Sequence, residues 1–211
     1  MIAPFALPLL TLHLLAAAPP ESSSAGWQPL TVVDGVSVFS RSHEGSDVAE
    51  VRAVAVLDAP PEAVWRVVRD YESQPRSMPY VEVARVLSSE EGGKRILLYN
   101  VINAPLADRR DLVVRITDES QWEEGRGYLL ARWTVSEGGP APVKGIVRVR
   151  VNDGSWLLEP RDGGRRTQVT YSLYTDPGGS LPRWIVNRAN RSSLPEVLRA
   201  LRREVAAQRQ P

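Results

Sequence analysis

Between Arg109 and Asp176 the chain repeats one pattern: short segments with apolar residues at every second position, parted by glycine-bearing turns. In "RDLVVRIT", Leu112, Val114 and Ile116 oppose Asp111, Val113 and Arg115. In "LLARWTV", Leu129, Ala131, Trp133 and Val135 fall together, and in "TQVTYSLYT" so do Val169, Tyr171 and Leu173. Side chains along a strand alternate between its two faces, so each segment presents one apolar face. Strands of that kind build an antiparallel sheet covered on one side; parallel strands, buried on both faces, read as unbroken apolar runs.

Gly92-Gly93, Gly125, Gly138-Gly139, Asp153-Gly154 and Gly163-Gly164 mark off strands at 80–88, 94–102, 109–117, 127–135, 144–151, 155–160 and 166–175. Asp153-Gly154, between "VRVRVN" and "SWLLEP", predicts a tight hairpin. Upstream, "GVSVFS" and "VAEVRAVAVLD" read as two further strands.

Two stretches change period and can supply the cover. "APPEAVWRVVRDYE" opens on Pro60 and Pro61 and places Ala63, Val64, Val67 and Val68 on one helical stripe. Near the end, Leu181, Trp184 and Ile185 form a short stripe. Ser193-Leu194-Pro195-Glu196 then matches a capping box, which predicts a helix restarting there, with a kink or break at Pro195. Leu194, Val197, Leu198, Leu201 and Val205 continue at spacings of three and four. The fold class is therefore α+β: a curved antiparallel sheet wrapped around a bent C-terminal helix, a helix-grip shape.

Composition removes several chemistries. The chain has no Cys, and its two His are His13 and His43, the latter in the polar turn "RSHEGSD". No metal site and no Ser-His-Asp triad is expected, nor a cofactor. The formal charge is +1, and no aromatic-basic signature points to nucleic acid. Residues 1–25, with the apolar run "APFALPLLTLHLLAAAPP", read as a signal peptide cut before Gly26. Export to a periplasm or beyond is the expectation; an uncleaved membrane anchor is its rival. Residues 26–211 form one domain.

Four motifs, in order, carry a family resemblance: "DAPPEAVWRVVRDYESQPRSMPYV", "PLADRRDLVVR", "VKGIVRVRVNDGSWLLEP" and "TQVTYSLYTDPGGSLPRWIVNRANRSSLPEVLRAL". Over about residues 30–205 the chain resembles the START (steroidogenic acute regulatory-related lipid-transfer) domains, particularly small bacterial ones. The resemblance implies an internal hydrophobic tunnel for a lipid or another apolar small molecule, capped by the C-terminal helix, without catalysis. A buried Arg of several animal members falls at Ile116 here, and its acidic partner falls near Leu97. Losing both charges together is coherent, because an unpaired buried charge costs several kcal/mol.

Expected lining residues are Tyr99, Val101, Leu112 and Val114, then Trp133, Val149 and Trp156, then Tyr171, Leu173, Trp184 and Leu198. Asn100 and Arg110 are candidates for polar head-group contact, and Asp111 is expected to pair with an arginine or to cap a turn at the strand entry. Gly178 and Gly179 are read as a hinge for the helix behind them. A net charge of +5 over residues 181–211 suggests a solvated helix face or transient contact with anionic lipid. The protein is expected to be a monomer. A polyketide cyclase or aromatase on the same helix-grip shape is the competing function; it lacks an inward acidic residue or a well-placed His.

Overall fold

The computed structural model describes residues 26–104, 107–179 and 181–208. The leader at 1–25 lies outside them. Strands β1 (Gln28–Val33), β2 (Val36–His43) and β3 (Ser46–Leu57) are followed by helices α1 (Pro61–Arg69) and α2 (Gln74–Ser77). Then come β4 (Val81–Glu90), β5 (Arg95–Ile102), β6 (Arg110–Asp118), the short β7 (Gln121–Glu123) and β8 (Arg126–Val135). A two-residue β9 (Val147–Arg148), β10 (Val151–Arg161), β11 (Arg166–Asp176) and α3 (Arg183–Ala207) complete the chain.

The strands form one sheet in the order β1-β2-β3-β11-β10-β8-β6-β5-β4, open between its two edges, with β7 paired to β8 and β9 to β6. Every pairing is antiparallel except β9 with β6. Helix α3 lies in the curve against β2, β3 and β11, and α1 packs beside it against β10. The α+β helix-grip expectation matches this architecture.

Helix α1 starts where Pro60 and Pro61 forbid a continued strand. Glu62 sits in its first turn and Arg66 and Arg69 in its last, each sign matching the helix dipole, while Val64, Val67 and Val68 turn inward.

Several local expectations are corrected. Asp153-Gly154 makes no hairpin: β10 runs straight through it, paired residue for residue with β11 and, from Gly154 on, with β8. Trp133 lies across Gly154, where an added Cβ would sit 2.2 Å from the indole Cζ2, so this glycine makes room for a ring. The strand expected at 144–151 shrinks to β9, because Val147–Arg148 pairs with the end of β6 alone. Helix α3 does not restart at Ser193: the Ser193 hydroxyl donates to the Asn190 carbonyl at 3.2 Å, and the helix passes through Pro195 for 25 residues in all. Its buried stripe is Val186, Asn190, Leu194, Leu198, Leu201 and Val205, an unbroken series of four- and three-residue steps. Nor is the sheet apolar on one face only. Tyr99, Val101 and Val113 pack together on the convex side with Leu87 and Leu97. The loop at Gly139 closes on Val113 and Leu87 there.

Candidate ligand-binding site

Strand register fixes which side chains face α3. Across the concave face the paired residues fall into rows. One row is Leu129, Leu158, Val169 and Ala55; the next is Ala131, Trp156, Tyr171 and Ala53. A third holds Ile96, Ile116, Trp133, Gly154, Leu173 and Val51; next come Leu98, Val114 and Val135 on one side and the pair Asn152 and Thr175 on the other. Beyond the end of β8 come Asn100 with Leu112, then Ile102 with Arg110.

These rows are not equally packed. Around the first row, Leu158, Val169, Leu194, Leu198 and Leu201 have no exposed surface. Each large aliphatic side chain there contributes about 1.5–3 kcal/mol by leaving water. In the later rows Trp133, Tyr171, Leu173, Asn152 and Thr175 are only half-buried. The alternation of Ala131, Ala53 and Gly154 with Trp133, Trp156 and Tyr171 explains part of the looser filling. The rings gather, Trp156 to Tyr171 at 4.3 Å and Trp133 to Tyr171 at 5.8 Å between centroids, above residues with almost no side chain.

Tyr171 decides what the looseness means. It lies deep in the molecule, and burial alone pushes its phenol well above the usual tyrosine range. Yet its surface is half-buried rather than sealed. A group both deep and partly accessible sits where the packing is incomplete. Tyr71, just after α1, shows the same combination: its phenol is pushed up to about 12, chiefly by burial, and it is likewise half-buried.

The polar atoms of this face are largely committed. Trp133 donates its indole N–H to Asn152 Oδ1 at 2.8 Å, Asn152 Nδ2 donates to Thr175 Oγ1 at 3.1 Å, and Thr175 donates to the Val151 carbonyl at 3.1 Å. Asn100 donates to Gln74 Oε1 at 3.0 Å and to the Val83 carbonyl at 3.3 Å. Arg110, 6 % exposed, donates through Nε to the Pro177 carbonyl at 3.2 Å and through Nη1 to the Asp108 carbonyl. The loop ahead of α3 is thereby tied to β6. Among the described residues no group of three or more metal-binding side chains occurs.

Helix α3 closes the concave face with two unlike halves. Its C-terminal half is held by Leu194, Leu198, Leu201 and Val205. Its N-terminal half is held mainly by polar clasps. Asn187 accepts from the Ala49 backbone N–H at 2.9 Å and donates to the Asp47 carbonyl at 3.0 Å; Asn190 donates to the Thr175 carbonyl at 3.2 Å; Arg183 pairs with Asp176. Gly178 and Gly179, just upstream, have φ of 68° and 77°, the left-handed region glycine enters without strain.

A curved open sheet gripping a long C-terminal helix beside loosely packed aromatic rows is an arrangement shared with known proteins. The family model described as polyketide cyclase / dehydrase and lipid transport matches residues 57–202. A STAR-related lipid transfer protein from Xanthomonas axonopodis, known from its crystal structure, is 30 % identical, with a TM-score of 0.77 over 86 % of this chain and 99 % of that one. The chain belongs to the START-related lipid-transfer family. The phosphatidylcholine transfer protein of Bos taurus is 24 % identical over 85 % of this chain and 84 % of its own. Human STARD10, at 19 % identity and a TM-score of 0.78 over 88 % of this chain and 75 % of that one, shares the START fold.

Against this START frame, the expected lining residues divide. Leu112, Val114 and Val149 form one apolar cluster with Ile96, Leu98 and Ile116. Trp133, Trp156, Tyr171 and Leu173 belong to the aromatic rows. Asn100 and Arg110 share the concave face. Leu198 belongs to the packed floor and borders no space. Trp184 is 66 % exposed, on the outer side of α3, because the buried stripe runs through Val186 and Asn190 instead. Tyr99 and Val101 point away from α3: Tyr99 pairs with Val113 and Val101 with Asp111, one position out of step with the inward row. The Tyr99 hydroxyl donates to Asp111 at 3.2 Å. Asp111 is fully buried, and its two oxygens take Arg148 Nε and Nη2 at 2.8 and 2.9 Å. The expected Asp111–arginine pair is present, on the convex side. The hydrogen bond from Arg148 to Asp111 pushes the guanidinium pKa up further, and burial followed by the Asp111 charge raises Tyr99.

Asn152, Thr175, Asn190 and Tyr71 were not anticipated. For Asn152 and Thr175 a signal exists, since they keep step two by two with Trp156 and Tyr171.

Proposed function

We propose that this protein binds a lipid or a similarly hydrophobic small molecule between its concave sheet and α3, and carries it without chemical change. The observation that supports this best is Tyr171, deep yet accessible, with Trp133, Leu173 and Trp156 around it. The similarity to lipid transfer proteins supports the same reading. Each CH₂ taken out of water gains about 0.8 kcal/mol, so a chain of about fourteen carbons gains about 11 kcal/mol. A bilayer returns nearly the same amount, and that balance lets a carrier both load and release.

Loading is assigned to transient contact with an anionic membrane through the outer side of α3. Trp184, Arg188, Arg191 and Arg199 there border a groove of about 580 Å³ with Thr31 and Val33 of the edge strand β1. Exposed Val32 and Leu30 continue the apolar edge. The protein acts as a monomer in the periplasm or outside the cell, reached through the leader at 1–25.

Native mass spectrometry of the purified protein, with solvent extraction of what it carries, tests the reading. A co-purifying or added hydrophobic molecule of defined mass, bound one to one, is the expected result. A protein that neither carries nor takes up sterol, phospholipid, fatty acid or isoprenoid would refute it.

A further inference from the structure

Among the described residues Arg110 is the one cation that the row pattern places on the concave face beyond the aromatic rows, paired across the sheet with Ile102 and diagonal to Asn100. The residue as a whole is 6 % exposed. A buried guanidinium carries five N–H donors and ordinarily meets a carboxylate. Here it donates to two neutral carbonyls, of Pro177 and Asp108, while Nη2, which is not sealed from solvent, bonds to no described residue.

The nearby carboxylates are engaged elsewhere. Asp111, next in the chain, faces the convex side and belongs to Arg148 and Tyr99. Asp176 accepts from Arg183 and from the Gly178 backbone N–H. Asp108 itself is exposed. A buried charge without a counter-charge is costly, and carbonyl dipoles offset only part of the cost.

We infer that Arg110 receives a compact anionic head group, a carboxylate or a phosphate monoester, of the ligand whose tail lies along the concave face. The inference rests on the carrier reading above and names its ligand class. Leu112, Val114 and Ile116 follow Arg110 along β6, so the path from the guanidinium to the Trp133 row is six residues, about 20 Å at about 3.3 Å per residue. An extended acyl chain of common length covers that path. The Pro177 carbonyl ties the same guanidinium to the loop ahead of α3, so head-group binding and closure of the loop share one side chain.

Three probes of equal chain length separate the possibilities: a long-chain fatty acid, its methyl ester and the corresponding alkyl phosphate, each measured by displacement of a fluorescent lipid. The acid or the phosphate is expected to bind at least tenfold more tightly than the ester, and which of the two does so identifies the head. In Arg110→Gln the preference is expected to vanish while ester binding persists; Arg110→Lys is expected to restore part of it. Equal binding of all three by the unmodified protein would overturn the inference and leave the carrier reading standing. A preference that survives in Arg110→Gln would also overturn it. Failure of every probe to bind would count against the carrier reading itself.

Discussion

Replacing Asn187 with alanine should loosen the N-terminal half of α3 without unfolding the rest. Asn187 makes two hydrogen bonds to the start of β3, from the Ala49 N–H and to the Asp47 carbonyl. Each contributes about 0.5–1.5 kcal/mol net. Alanine recovers roughly half a kcal/mol through its better helix propensity. The local closing free energy should fall by about 1–2 kcal/mol, a factor of about 5–30 in the opening equilibrium. The other half of the helix is held by four buried aliphatic side chains that the substitution does not touch. Between the halves, Pro195 has no N–H to give the Arg191 carbonyl, so the joint is one hydrogen bond short. Amide hydrogen exchange reads both halves at once. Protection at residues 185–191 should fall by about 5–30-fold, with residues 198–205 unchanged and ligand release faster by a similar factor. Equal loss of protection along the whole helix, or none anywhere, would refute the idea of two separately anchored halves.

Two further outcomes follow from buried groups away from the aromatic rows. Asp111→Asn removes the charge that Arg148 and Tyr99 share on the convex face. Breaking a buried pair costs about 3–5 kcal/mol, and since Arg148 keeps 21 % of its side-chain surface the lower end is expected, read as a fall in the urea midpoint. Tyr71 gives a pH dependence: its phenol is raised from 10.0 to about 12 in the fold, so the unfolded chain loses that proton first. The stability it lends is complete below about pH 10 and drains away as the pH climbs to about 12, by about 2–3 kcal/mol. Tyrosinate absorbance followed alongside denaturant melts checks it; a Tyr71→Phe variant with the same alkaline loss would contradict the assignment.

Period-two alternation made most of the sheet legible in the sequence, because burying one face ties register to composition: "RDLVVRIT", "LLARWTV" and "TQVTYSLYT" put the same residues inward that the pairing does. It failed in "ILLYNVI", where both faces are apolar. Tyr99 and Val101 are as hydrophobic as Leu98, and only the pairing of Asn100 with Leu112 shows which set looks inward. Gly154 failed for a different reason. A glycine after an aspartate is a turn signal on its own, and its role as floor space for Trp133 depends on a ring that lies elsewhere in the chain.

The misreading of α3 bears on the site itself. Trp184 and Ile185 weigh heavily in a hydrophobic stripe, and Asn190 counts against one, so the sequence splits the helix at Ser193 and turns Trp184 inward. The fold keeps one stripe and places a polar residue in it, because Asn190 has the Thr175 carbonyl to satisfy it at the end of β11. A helix held by apolar contacts along its whole length would be expensive to lift from the sheet. Exchanging one anchoring position for an amide, and leaving Trp184 outside at 66 % exposure, makes the half nearest Arg110 the cheaper one to open. The residues that disobey the hydrophobic pattern are thus those that leave this half of α3 the more weakly held.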